Sequence, residues 1–324
     1  MREALFIKKN KDRWQKSQET PPENPDETAL EFTQLVDDLS YSKTFYPHSR
    51  ITRYLNARAS QTYMSIYQNR KEDRNRLTEF WKYAVPRTVR KHHGVLLFCA
   101  LYFIVFFIVG FYSSSHDESF VREMLGDGYV NMTEENIEKG QPFGVYAEGG
   151  ELLMWLGIMI NNLFVSFTYF ARGIVLCFPT MVSLLNEGVR LGAFEQMFFS
   201  KGLGLQSVLT VFIHGTLEIS AIVIAGASGV VLGKSWMFPG TKKRLKAFTE
   251  GAKEAVIILV SLIPVFVVAA FFEGFITRYY TMPQWLSAFI LFCSASYIVW
   301  YYIIYPIQIQ KKLKLTGVEN TTSA

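Results

Sequence analysis

The stretch from Gln206 to Gly233 is apolar, yet it carries His214 and Glu218 four residues apart. In a helix that spacing puts imidazole and carboxylate on one face, close enough for a ring N–H to bond the carboxylate. The run is long enough to cross a bilayer, where an ionisable pair is expensive and marks a functional site by default. Neighbouring apolar stretches add Asn161, Asn162, Asn186, Glu187 and Glu273, which complete the expected intramembrane polar site. Two chemistries are open to such a set. It can be a hydrogen-bonded clasp from His214 and Glu218 to Asn161, Asn162 or Asn186. Alternatively, it can line a hydrated cavity that relays protons or binds a cation, with helix breaks at Gly173, Pro179 or Pro264 exposing backbone groups.

A catalytic metal centre is the reading that spacing supports least. Zinc usually takes three or four protein ligands, and His48, His92, His93 and His116 fall outside the apolar segments. Glu187 or Glu273 would have to complete the set, and no spacing predicts that. HExxH, GxSxG and Walker-type phosphate-binding segments are absent from the sequence. The expectation is a non-enzymatic protein without catalytic, cofactor-binding or metal-ligating residues. Cys99, Cys177 and Cys293 are too few for a disulfide framework and read as small buried hydrophobes.

Helices must position these residues. A helix rises about 1.5 Å per residue, so roughly 20 apolar residues cross a hydrocarbon core of about 30 Å. Six segments qualify, at about 95–112, 152–170, 174–194, 207–232, 255–275 and 286–307. The His214–Glu218 face continues through Ala221, Ala225, Gly229 and Gly233. Small residues at four-residue intervals let another helix approach closely, which predicts a central packing seam and favours a homodimer.

Six spans put both termini on one side. That side receives Arg87, Arg90, Lys91, Arg172, Lys234, Lys242, Lys243, Arg244, Lys246, Lys253, Lys311, Lys312 and Lys314 and is expected to be the cytoplasm. The opposite side receives loop 113–151, in which nine acidic residues face only Arg122 and Lys139. The first apolar run begins only after residue 94, which does not read as a cleavable signal peptide.

Residues 1–94 hold 18 Lys and Arg against 12 Asp and Glu. Acidic residues interrupt every basic patch, so contact with anionic membrane lipids or a protein partner is expected and nucleic acid is not. A first short helix carries Phe6, Ile7 and Trp14, and Thr20–Pro25 reads as a linker. A second helix begins near Asn24-Pro25 with Leu30, Phe32, Leu35, Val36 and Leu39. A third, capped by Ser49, carries Ile51, Tyr54, Leu55, Ala59, Thr62, Tyr63 and Ile66. The fold class is therefore all-α: a cytoplasmic helical domain over 1–94 and a polytopic membrane bundle over 95–324.

Several motifs together carry a family resemblance. They are Arg2-Glu3-Ala4-Leu5-Phe6 with Trp14, Leu39-Ser40-Tyr41-Ser42-Lys43-Thr44-Phe45-Tyr46-Pro47, Tyr54-Leu55-Asn56 and Pro86-Arg87-Thr88-Val89-Arg90. Asn161-Asn162, Asn186-Glu187-Gly188, His214-Gly215-Thr216-Leu217-Glu218-Ile219 and the later Glu273 continue the series. With these the chain resembles the stage II sporulation protein M family, in a long form with an added amino-terminal helical region. The resemblance implies a multi-span scaffold of the bacterial cytoplasmic (inner) membrane. In endospore formers the namesake anchors a complex of cell-wall hydrolases. Long-form members are similar to proteins often encoded beside a MoxR-type ATPase, which makes hydrolases and such ATPases the expected partners.

Overall fold

The computed structural model describes residues 2–19, 25–68, 76–144, 151–277 and 282–315. The expected linker at 20–24 and residues 145–150 of the expected outer loop fall outside this set. Every described secondary-structure element is helical. The chain divides into two compact units, Met1–Asn75 and Arg76–Ala324.

In the first unit α1 (Glu3–Glu19), α2 (Pro25–Phe45) and α3 (Arg50–Gln68) enclose Phe6, Trp14, Leu35, Leu55 and Ala59. The Trp14 indole N–H donates to Asp38 Oδ2 at 2.8 Å, and Asp38 also pairs with Arg13, which ties α1 to α2. Ser49 caps α3 by accepting the Ile51 N–H at 3.1 Å. The apolar faces of α2 and α3 are wider than this core. Leu30, Tyr63, Met64 and Ile66 stay exposed.

The second unit opens with α4 (Arg76–Glu79), a π turn π1 (Phe80–Ala84) and α5 (Val85–Lys91). Hydropathy alone groups these residues with the amino-terminal part. Packing puts them in the second unit, because Val85 and Val89 are fully buried in its main core and α5 lies against helices from the end of the chain. The long helices follow as α6 (His93–His116), α9 (Glu151–Arg172), α10 (Phe178–Ser200) and α11 (Gly204–Met237). Next come α12 (Arg244–Val260), α13 (Ile263–Phe271) with π turn π2 (Phe272–Thr277), and α14 (Gln284–Val299) with π turn π3 (Trp300–Ile304), leading into α15 (Tyr305–Leu315).

Among the described residues five helical stretches are long and apolar enough to cross a membrane: His93–His116, Glu151–Arg172, Gly204–Met237, Arg244–Thr277 and Gln284–Leu313. Six were expected. The difference is α10, in which Glu187 and Arg190 lower the apolar content of the expected 174–194 segment and Glu195 follows directly after it. Its path nevertheless follows a spanning helix. Gly188 lies against the backbone of Phe103 and Phe107, and Gly192 against that of Phe107 and Phe111, so α10 runs parallel to α6 at glycine-limited distance.

α11 is the axis of the bundle. It touches α6, α9, α10, α12, α13 and α14, and Ala221, Ala225 and Ala227 on it are wholly buried. Pro264 does interrupt a helix, since α12 stops at Val260 and α13 restarts at Ile263 with the proline in its first turn. The break is satisfied internally: the Tyr302 hydroxyl donates to the Ser261 carbonyl at 2.9 Å.

Between α6 and α9, the short α7 (Glu118–Leu125) and α8 (Asp127–Glu138) form a cap. Its Val121, Val130 and Phe143 share a small core with Met197, Phe198 and Val211 of α10 and α11. The Asp117 carboxylate caps α7 by accepting the Ser119 N–H at 2.9 Å. At the other end of the bundle Glu254 of α12 holds Lys91 at 2.5 Å and His92 at 2.7 Å, while Arg90 bonds Gln310 of α15 at 2.7 Å.

Candidate functional site

His214 sits ten residues into α11, about 15 Å along its axis. It is 4% exposed. Its Nδ1 lies 2.9 Å from Thr277 Oγ1, and its Nε2 lies 4.0 Å from Glu273 Oε2. Glu218 follows one turn later on the same face, as the four-residue spacing requires. His214, Glu218 and Glu273 each offer a ligand atom, and these atoms all lie within 4.8 Å of one another. Of the seven residues expected at the polar site, His214, Glu218 and Glu273 thus form a group of three, closed by π2. Glu273 and Thr277 sit four apart there, so both face α11.

Asn162 of α9 joins this cluster. It is 4% exposed and its amide faces the Glu218 carboxylate, although Nδ2 makes no well-formed hydrogen bond there. Glu187 is adjacent: the Tyr169 hydroxyl donates to Glu187 Oε2 and to the Ser183 carbonyl, each at 3.3 Å. Two expected members lie elsewhere. Asn161 is exposed on the far side of α9, because one residue of helix turns a side chain by about 100°. Asn186 is also exposed and lines a separate cavity of about 440 Å³ with Arg172, Pro179 and Ser183.

The small-residue face closes within the chain. A Cβ at Gly229 would stand 2.5 Å from the Tyr169 carbonyl oxygen, and one at Gly233 would stand 2.8 Å from the Cys177 backbone nitrogen. Both glycines accept the connection between α9 and α10, where Leu176 and Cys177 take positive φ values of 53° and 65°. Gly173 lies in that connection, and Pro179 sits in the first turn of α10 rather than breaking it.

Sequence reasoning passed over Thr277, Tyr169 and Glu195. Thr277 and Tyr169 carry no pattern of their own, since only tertiary packing brings them to His214 and Glu187. Glu195 had a signal, being an acid flanked by Phe194, Met197, Phe198 and Phe199. It is 2% exposed, accepts the Ser207 hydroxyl at 3.3 Å through Oε1, and leaves Oε2 unpartnered.

At the cap Glu134 accepts Lys201 and Arg122, each at 3.0 Å. The Lys201 hydrogen bond, with the charges of Lys201 and Arg122, holds the Glu134 carboxyl below the usual carboxylate range. The ion pair with Lys201 fastens α8 to the end of α10.

Helices of membrane-crossing length around a buried polar cluster define a polytopic membrane protein. Residues 99–278 match the family described as Stage II sporulation protein M, and the chain belongs to that family. Residues 4–68 match a second family, described as Domain of unknown function (DUF8413), which covers α1 to α3. No curated protein and no solved structure gives a significant match.

Proposed function

We propose that this protein is a non-enzymatic scaffold of the bacterial cytoplasmic membrane, linked to cell-envelope or cell-wall processes. In this reading six helices cross the membrane and both termini are cytoplasmic. The parallel course of α10 beside α6 supports α10 as the sixth crossing helix. The shared basic end at Arg90, Lys91 and His92 supports that end as the cytoplasmic one.

One observation carries the scaffold reading: the parts outside the bundle have hydrophobic cores of their own. Phe6, Trp14 and Leu55 build one, and Val121, Val130 and Phe143 build the other against the tips of α10 and α11. Segments that merely joined spans would not need folded cores, whereas a platform that presents fixed surfaces does. The exposed Leu30, Tyr63, Met64 and Ile66 give the first unit apolar surface for a partner. Cell-wall hydrolases on the cap side and a MoxR-type ATPase on the cytoplasmic side are the partners consistent with the family.

The test is purification of the full chain from native membranes in mild detergent after brief cross-linking, with mass spectrometry. Stoichiometric recovery of a hydrolase or MoxR-type ATPase, lost when Tyr63 and Met64 are changed to Asp or the cap is deleted, supports the reading. Partner-free protein from every preparation contradicts it.

A second reading, transport or channel activity, is favoured by the cluster of His214, Glu218 and Glu273 inside the bundle. Ion flux into liposomes carrying the purified chain, abolished by Glu218→Gln, would select it over the scaffold.

A further inference from the structure

We propose that His214, Glu218 and Glu273 bind one first-row divalent cation, with zinc(II) the best match, which fastens α11 to the end of α13 inside the bundle. This goes beyond the scaffold reading and does not depend on it.

The donor set is the first argument. One imidazole nitrogen and two carboxylate oxygens suit zinc and its first-row neighbours, whereas calcium and magnesium prefer all-oxygen sites. The ligand atoms lie within 4.8 Å of one another, and His214 Nε2 lies 4.0 Å from Glu273 Oε2. Tetrahedral zinc with bonds of about 2.0–2.1 Å sets ligand atoms roughly 3.4 Å apart. Closing by about an ångström is within reach of side-chain rotation in two glutamates.

The surrounding shell is the second. The Thr277 hydroxyl lies 2.9 Å from His214 Nδ1. With Nδ1–H donating to that hydroxyl, the Nε2 lone pair faces the two carboxylates. A metal-bound histidine is oriented in this way by a partner on its other nitrogen. Asn162 provides an independent pointer, since its buried amide faces Glu218 without Nδ2 making a well-formed hydrogen bond. Turning the amide brings its oxygen toward the cluster, as a fourth ligand or as the acceptor for a cation-bound water. O and N positions in a side-chain amide follow from the partners available.

Charge is the third. Two carboxylates facing one another in a low-dielectric bundle repel, and both are poorly hydrated there. A dication with a neutral imidazole cancels both charges. The π turn that delivers Glu273 and Thr277 belongs to a class of helix distortion often found at functional sites.

The experiment uses the full chain with a histidine-free affinity tag, stripped with a chelator in detergent and titrated with zinc(II) alone. Metal retained after desalting is counted by mass spectrometry, and thermal unfolding is followed in parallel. About one zinc per chain and a raised melting temperature are expected. His214→Gln and Glu273→Gln should abolish retention, Thr277→Val should weaken zinc roughly 10–100-fold, and Glu195→Gln, buried elsewhere, should change neither readout. Cobalt(II) substitution gives a readout that does not depend on variants: ligand-field bands without a thiolate charge-transfer band are expected. Wild-type protein that retains no zinc, or zinc retained equally by the His214→Gln/Glu273→Gln double variant, overturns the proposal, as does a cobalt spectrum dominated by thiolate.

Discussion

His214 of α11 and Thr277 of π2 are 63 residues apart in sequence, and their Nδ1 and Oγ1 atoms are 2.9 Å apart in the bundle. The contact fixes the rotation of α11 against the last turn of the α13 segment and fixes the direction in which the His214 ring presents Nε2. Thr277→Val keeps the shape and removes the hydroxyl, leaving a buried ring nitrogen unsatisfied at a cost of about 1–3 kcal/mol. Its melting temperature in detergent should fall below the wild-type value, whereas Thr277→Ser should stay near it. Equal melting of Val and Ser variants would show that the bond contributes nothing.

A second expectation concerns the seam between α6 and α10. A Cβ on Gly110 would stand 2.7 Å from the Val189 Cα, and backbone cannot move aside as a side chain can. Gly110→Ala must therefore spread the two helices, costing about 1–3 kcal/mol or more. Gly157 of α9 has open space around it, so Gly157→Ala should be neutral or slightly stabilising. Comparing the two by size-exclusion yield and thermal midpoint checks the seam directly.

The His214–Glu218 spacing was legible because α-helical periodicity is local, and so were the helical class, the interruption at Pro264 and the cap on α3. What stayed hidden was tertiary. Nothing local brings Glu273 rather than Asn161 or Asn186 to the pair, because that depends on how α9, α10 and the α13–π2 segment are rotated about their axes. Composition also says nothing of neighbours: α10, expected as a span, is not among the described stretches apolar enough to cross a membrane yet lies flush against α6, and residues 76–91 are polar overall although Val85 and Val89 are buried in the second unit.

Removing the Tyr302 hydroxyl should expose the weakness at the helix break. Tyr302→Phe leaves the Ser261 carbonyl without its donor at 2.9 Å, next to the turn enforced by Pro264. A loss of about 1–3 kcal/mol is expected. Faster amide exchange confined to residues 258–266 is the accompanying signature, and unchanged exchange there would mean that the break is satisfied by other means.

Acid should loosen the cap. Because Lys201 and Arg122 hold Glu134 below its unfolded value, their bonds stabilise the cap above the ordinary carboxylate range. That stabilisation is lost as pH falls through the lowered value. Hydrogen exchange in residues 118–138, corrected for its intrinsic pH dependence, should rise in that window for the wild type. In Glu134→Gln it should be raised already at neutral pH and change less on acidification.

Sidedness rests on α10 crossing the membrane despite Glu187, Arg190 and Glu195, and the scaffold reading depends on it because the cap and the amino-terminal unit must face different compartments. The most direct test replaces Cys99, Cys177 and Cys293 by Ser, then introduces single cysteines at Gln141 and Lys243 in intact cells. Six crossings predict that an impermeant thiol reagent labels position 141 and leaves 243 unlabelled until the membrane is opened. Labelling of position 243 from outside, as a non-crossing α10 would produce, contradicts the account.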